Sequence, residues 1–254
     1  MMLKQHTYAE RPDLISQVRE FIPRSWPEFM LQDPIADRLW GRMEREFAGF
    51  QFTLTDDDDR VVAMGNCMPF AWDGTPEGLP AQGWDGVFQQ CLRDKDEGRA
   101  PNTLSALQAV VAPGEQGKGL SRLVIEAMRQ IARQHGLRRF VSPVRPSLKS
   151  AYPLTPIDRY ARWARADGAP FDPWMRAHWR LGARVIRIAH DSMTIRGRIA
   201  DWELWTGLRF PETGPYIVPG ALAPVHIDTG QDEGCYVEPN VWMEHPPVIE
   251  PLSD

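Results

Sequence analysis

No stretch of this chain approaches the roughly 20 consecutive apolar residues that would cross a bilayer, and Met1-Met2-Leu3-Lys4-Gln5-His6 lacks the apolar core of a secretory leader. A membrane partner is therefore not expected, and a cytoplasmic location is. Cysteine is scarce: Cys67, Cys91 and Cys235 are an odd, widely spaced set without a Cys-x-x-Cys pair. That argues against a disulfide framework and against a thiolate zinc site, and leaves reduced, buried thiols as the expectation. Also missing are Gly-x-Ser-x-Gly, His-Glu-x-x-His and any two of the six histidines at metal-ligand spacing. Neither a serine nucleophile nor metal catalysis is expected, and no residue is assigned to a metal. The net charge of −5 lacks the strong basic excess of a nucleic-acid-binding chain, so no nucleic-acid partner is expected.

What is present is ordinary for a globular protein, with 43% hydrophobic and 25% charged residues. The 254 residues read as one domain, 1–254, with no internal repeat or low-complexity linker. Charge is unevenly spread. From Arg138 to Ala200 there are thirteen Lys/Arg against four Asp/Glu, and from Asp201 to Asp254 one Arg against ten acids. Two readings stand side by side: the segments neutralise each other, or the basic one serves a polyanion and the acidic one a cationic substrate.

Periodicity predicts a strand at 4–8, then helices at 13–22 and 33–47, the second with Asp33 as N-cap and Pro34 at its first position. Strands at 50–55 and 60–67 flank Asp56-Asp57-Asp58-Asp59, which suits a solvated hairpin tip. A Gly/Pro-rich connection from Pro69 leads to a helix at 84–96. A strand at 104–111 is followed by a helix whose apolar face is Leu120, Leu123, Val124, Ala127, Met128, Ile131 and Ala132, ended by Gly136. A strand begins at 139–142. Beyond it come an irregular stretch with a helical piece at 157–165, a helix at 174–181 and a strand within 184–195. Strand-like segments at 216–218 and 223–227 follow, and 246–254 reads as a loose tail. Trp163, Trp174, Trp179, Trp202, Trp205 and Trp242 are read as core before ligand platform.

The segment that carries chemistry is Val111-Ala112-Pro113-Gly114-Glu115-Gln116-Gly117-Lys118-Gly119-Leu120-Ser121, between a buried strand and an amphipathic helix. Such a turn directs backbone N–H groups outward where the helix dipole is positive, which prepares a site for phosphate. It is not a P-loop, because Leu120 stands where the lysine belongs, nor a Rossmann turn, because Arg122 replaces the third glycine.

Gln116, Gly117, Lys118, Gly119, Leu120 and Ser121 resemble the Gln/Arg-x-x-Gly-x-Gly/Ala signature of the GCN5-related N-acetyltransferase (GNAT) superfamily, with Ser121 in place of the final Gly or Ala. The order of predicted elements is similar to that family over about the first two thirds of the chain. The resemblance implies an α/β (α+β) fold with a mixed, mainly antiparallel central sheet flanked by helices. Against it, about 69–100 reads as an insertion, and about 143–173 and 200–254 as family-atypical extensions rich in Pro and Trp. It further implies an acyltransferase that moves acetyl from acetyl-CoA to an amine of a small molecule or protein, the acceptor being cationic if the acidic segment faces it. A homodimer is compatible with this. Coenzyme would contact Val111 and Gln116 to Ser121, lying between two splayed strands, with backbone N–H groups near Val110 and Val111 polarising the thioester.

In Ala177-His178-Trp179-Arg180-Leu181-Gly182, His178 occupies the place where relatives commonly carry a tyrosine that protonates the departing thiolate; the alternative is a packed histidine. The motif strand has no glutamate to act as base, and Glu203, Glu238, Asp158 and His245 remain as distant candidates. The same fold and coenzyme would also serve an acyl-CoA hydrolase or decarboxylase, an S-acyltransferase to a carrier protein, or a non-catalytic acyl-CoA-binding module.

Overall fold

A computed structural model describes residues 3–249. Strand β1 (Lys4–Thr7) and two helices, α1 (Ile15–Ser25) and α2 (Pro34–Glu46), precede the hairpin of β2 (Gln51–Thr55) and β3 (Val61–Phe70). Next come α3 (Gly83–Asp96), the motif strand β4 (Thr103–Val111), α4 (Leu120–Gln134) and β5 (Arg139–Val144). The chain continues through α5 (Ile157–Tyr160), α6 (Pro173–Arg180), β6 (Arg184–Gly197), α7 (Ile199–Thr206), β7 (Gly214–Tyr216), β8 (Val225–Asp228) and β9 (Glu233–Glu244).

The strands form one sheet in the order β1-β2-β3-β4-β5-β9-β8-β7, antiparallel throughout except for the parallel pair β4–β5. One edge of β9 pairs with β8 near its start and with β5 near its end, while β6 runs along the other edge. The mixed, mainly antiparallel sheet flanked by helices is the architecture the resemblance implied. One layer of core packs α2, α3 and α7 against the sheet around Phe88, Trp202 and Trp242. Another packs α4 around Val124, Met128 and Ile131.

Helix α2 begins where the sequence predicted, with Asp33 accepting from Ile35 and Ala36 N–H at 2.9 and 2.7 Å. In α4 the apolar face differs by two residues: Leu123 is 40% exposed, and Ile125 is buried instead. The helical piece predicted over 157–165 is only α5, because Trp163 to Phe171 turns back on itself through Phe171 N–H to Trp163 O. Two elements went unpredicted. Helix α7 shows little one-sidedness in sequence, and β9 carries Pro239 and is buried on both faces over much of its length, which erases alternation. Of the cysteines, Cys67 and Cys91 are buried, but Cys235 is partly exposed, since it sits where β9 pairs with the short β8. Of the predicted tail, residues 250–254 lie outside the described residues, whereas Val248 is buried against the α4 core.

Candidate active site

Strands β4 and β5 pair only over Thr103–Ser105 with Arg139–Val141, although both run on, to Val111 and Val144. The cause of the parting lies in β4. Its register against β3 steps from Gln108↔Asn66 to Ala106↔Cys67, so Leu107 is an extra residue, and a bulge of this kind bends its strand. The bulge is held from α3: Trp84 Nε1 donates to Leu107 O at 2.7 Å. Backbone alternation does the rest. Ala112 N–H donates to Val62 O across β3, so Val110 also turns its N–H to β3, while Ala109 and Val111 turn theirs to the open side.

The parting opens a cavity of about 930 Å³. Its floor on the α4 side includes Ser121, Val124 and Met128, and its far wall is made by α1 and α2. The glycine turn runs between two of its lining residues, Val111 and Ser121. Gly117 and Gly119 have φ of +78° and +79°, a left-handed backbone that favours glycine, and a Cβ at either would meet nothing within 4 Å. The turn is braced by its own side chains: Gln116 Oε1 accepts from Gly114 N–H at 3.0 Å, and its Nε2 donates to Val111 O at 3.3 Å. Buried Glu115 takes Lys118 at 2.8 Å and Arg60 at 3.3 Å, and Arg60 also pairs with Asp56, so the acidic hairpin tip helps fix the turn. Helix α4 has no side-chain cap. Among the described residues, none of the six backbone N–H groups from Gln116 to Ser121 donates to a protein acceptor, and they precede the positive end of the helix dipole.

His178 is brought to the same cavity by α6. That helix starts at Asp172, a fully buried carboxylate that caps Trp174 and Met175 N–H at 2.9 and 3.0 Å, accepts Leu148 N–H at 2.8 Å and takes the Tyr160 hydroxyl at 2.9 Å. Such a hub fastens α6 to the chain leaving β5. His178 Nδ1 lies 2.9 Å from His245 Nε2, and Trp174 meets the His178 ring edge-on at 4.5 Å. Burial, with His245 beside it, holds His178 well below the usual histidine range. Burial and the Arg129 charge push His245 down to about 3. Both rings are neutral at physiological pH.

The four candidate bases separate. Glu238 and His245 lie at the cavity or in contact with a residue that lines it, whereas Asp158 faces His190 at 3.6 Å and Glu203 pairs with Arg209, both away from it. Glu238 is fully buried, and its oxygens are taken by Arg145 at 2.8 Å, Tyr236 at 2.9 Å and Asn240 at 3.2 Å. Asp37 and Glu44, one helical face apart on α2, also line the cavity. Glu44 is held by Arg19 at 3.1 Å and Trp40 at 3.3 Å; among the described residues the Asp37 carboxylate has no hydrogen-bond or ion-pair partner. The aromatic wall comes from Trp26, Trp40, Trp84 and Trp174. Only Trp174 belongs to the tryptophans singled out from the sequence. Of the others, Trp40 and Trp84 sit on α2 and α3 and Trp26 just after α1, and nothing in their spacing distinguished a wall from a core.

The Acetyltransferase (GNAT) family profile matches residues 13–155. The chain is 33% identical over 272 residues to the arginine N-acetyltransferase avaD of Aspergillus versicolor, a match that covers 94% of this chain and 92% of the relative. Among solved structures, the loading GNATL domain of CurA from Lyngbya majuscula superposes with a TM-score of 0.60 at 18% identity, covering 96% of each chain. The GphF GNAT-like decarboxylase in complex with isobutyryl-CoA gives 0.59 at 16% identity, over 97% of this chain and 99% of that one. At such identities the two structures speak for the fold.

Proposed function

The chain belongs to the acetyltransferase (GNAT) family and is an acyl-CoA-dependent acyltransferase, and on that premise we propose that it transfers acetyl from acetyl-CoA to a nitrogen of arginine or of a related cationic molecule. The observation that carries the reading is the row of unpaired N–H groups from Gln116 to Ser121, the last of which lines the cavity between the parted strands. That row offers the coenzyme's pyrophosphate several donors at a helix start. The pantetheine arm then follows the gap, and the N–H groups of Val111 and Ala109, which face it, polarise the thioester carbonyl as it becomes an oxyanion. Val110 contributes through position, since its own N–H belongs to the β3 ladder. His178 serves the departing sulfur.

The acceptor rests on the relative's arginine and on charge. Asp37 and Glu44 on the α2 wall place carboxylates where a cation enters, and Trp40 beside them offers a π face. A guanidinium or ammonium must still release a proton as its nitrogen attacks, and free Asp37, directly or through water, is the carboxylate placed to receive it. Thiol release from acetyl-CoA, measured with arginine, agmatine, a neutral amine and an anionic amine, tests the proposal. Release that depends on the cationic acceptors, with acetylated product by mass, is the expected result. Release of equal rate without any amine would replace transferase with hydrolase, and a preference for the anionic amine would overturn the acceptor assignment.

A further inference from the structure

Two neutral imidazoles in contact share one proton along the line between them, and their surroundings decide which ring supplies it. His178 Nδ1 and His245 Nε2 form such a contact at 2.9 Å. The remaining nitrogen of each ring, His178 Nε2 and His245 Nδ1, is buried without a hydrogen-bond partner. With Nδ1 turned to His245, Nε2 is the nitrogen that His178, a cavity-lining residue, has left for a ligand.

The surroundings of His245 are one-sided. Its ring stacks on Phe140 at 4.5 Å, and its backbone N–H is tied to Phe140 O at 2.9 Å, so the ring cannot turn over freely. The charged group that acts on it is Arg129 of α4, whose Nε–H is itself buried with no acceptor. Were the His245 proton on Nδ1, that buried nitrogen would be a donor without an acceptor. With the proton on Nε2, the ring donates to His178 Nδ1, and the other proton of the pair sits on His178 Nε2, the nitrogen left for a ligand.

We propose that His245 is a positioning residue which, by donating from Nε2 to His178 Nδ1, locks His178 in the tautomer that presents Nε2–H to the reacting sulfur. The consequence for turnover rests on the acyl-transfer reading above; the tautomer itself does not. As the acceptor nitrogen bonds to the thioester carbon and the carbon–sulfur bond breaks, the electron pair stays on sulfur. His178 stabilises that thiolate through its Nε2–H without losing the proton, and the proton shed by the attacking nitrogen to Asp37 passes on through solvent to complete the thiol. Both imidazoles keep one proton from start to finish. A neutral hydrogen-bond donor therefore stands where an acid would otherwise have to be recharged each cycle.

Nitrogen-15 imidazole spectra of the full chain, assigned with His178→Phe and His245→Phe, read the tautomers directly. The expected pattern is both rings neutral at pH 7, each with its proton on Nε2. A proton on His178 Nδ1, or a charged ring, would overturn the proposal whatever the enzyme's activity. Kinetics provide the second readout: His245→Phe should lower kcat on the order of a hundredfold with KM for acetyl-CoA unchanged, and His245→Gln, which keeps an N–H donor, should recover much of it. Unchanged kcat in His245→Phe would also overturn it. If no acyl transfer is found with any acceptor, the acetyltransferase reading fails, while the spectra still decide the tautomer.

Discussion

Gly119 joins two demands at one position: a φ of +79° that favours glycine, and open space where a Cβ would stand. Nothing in the protein fills that space, so a ligand can approach the backbone there, as the proposed coenzyme site requires. Gly119→Val should cost roughly 1–2 kcal/mol of stability from left-handed strain and leave the fold in place. Its larger effect should be on coenzyme, seen by calorimetry as a loss of acetyl-CoA binding of at least tenfold. Full affinity in a folded Gly119→Val protein would move the phosphate site elsewhere. At the same scale, His178 was found by its position before Gly182, but its partner was not. His245 was noticed only as a distant base, because sixty-seven residues separate the two rings and no spacing rule spans that distance.

Two carboxyls are buried where α2 and α3 meet, Asp33 at the start of α2 and Asp85 on α3. Asp33 caps α2, Asp85 accepts Thr194 N–H from β6, and the two face each other in the core. Burial and the neighbouring Asp33 push Asp85 up to about 8, and Asp33 is raised as well. A carboxyl whose folded pKa is raised keeps its proton while the unfolded chain has lost it. Its contribution to stability is thus full below the usual carboxylate range and is lost as pH rises from about 4 to about 8. Asp85→Asn mimics the protonated form, so its stability relative to the parent should grow across that window by about 1.4 kcal/mol per pH unit at most. Urea unfolding at pH 5, 7 and 9 measures it, and parallel curves for the two proteins would dismiss the raised Asp85 pKa. Helix α2 of this α2–α3 junction also carries the cavity wall at Asp37 and Trp40.

Across the whole molecule, the two oppositely charged segments do meet. Arg145 pairs with Glu238 at 2.8 Å, Arg139 with Glu244 at 3.1 Å, Arg198 with Asp201 at 3.5 Å, and Arg196 with Glu233. The bland reading of the charge asymmetry therefore accounts for much of the acidic segment. The acids lining the cavity are instead Asp37 and Glu44, from the first fifth of the chain, together with Glu238, which Arg145 already neutralises. An attraction that rests on so few free carboxylates at a cavity mouth is screened by salt over about 8 Å at physiological ionic strength. The KM of a cationic acceptor should then rise several-fold between low and high salt, and that of a neutral amine should not. Equal salt dependence for both would remove electrostatics from acceptor choice.

The sequence by itself determined the strand, glycine turn and helix on which the proposed coenzyme site rests, and most of the fold's first two thirds. The reason is locality: strand, glycine turn and helix follow one another from 103 to 134, so their chemistry is written in consecutive residues and in a 3.6-residue period. Asp33 as a cap was equally legible, since a cap acts two or three residues away. Tertiary structure alone decided the rest. The bulge at Leu107 that parts β4 from β5 depends on register against β3, the His178–His245 contact on strand β9 returning beside β5, and the far cavity wall on where α1 and α2 pack. Each of these joins residues far apart in the chain, and sequence periodicity reports which face of an element is apolar, never which distant element will cover it.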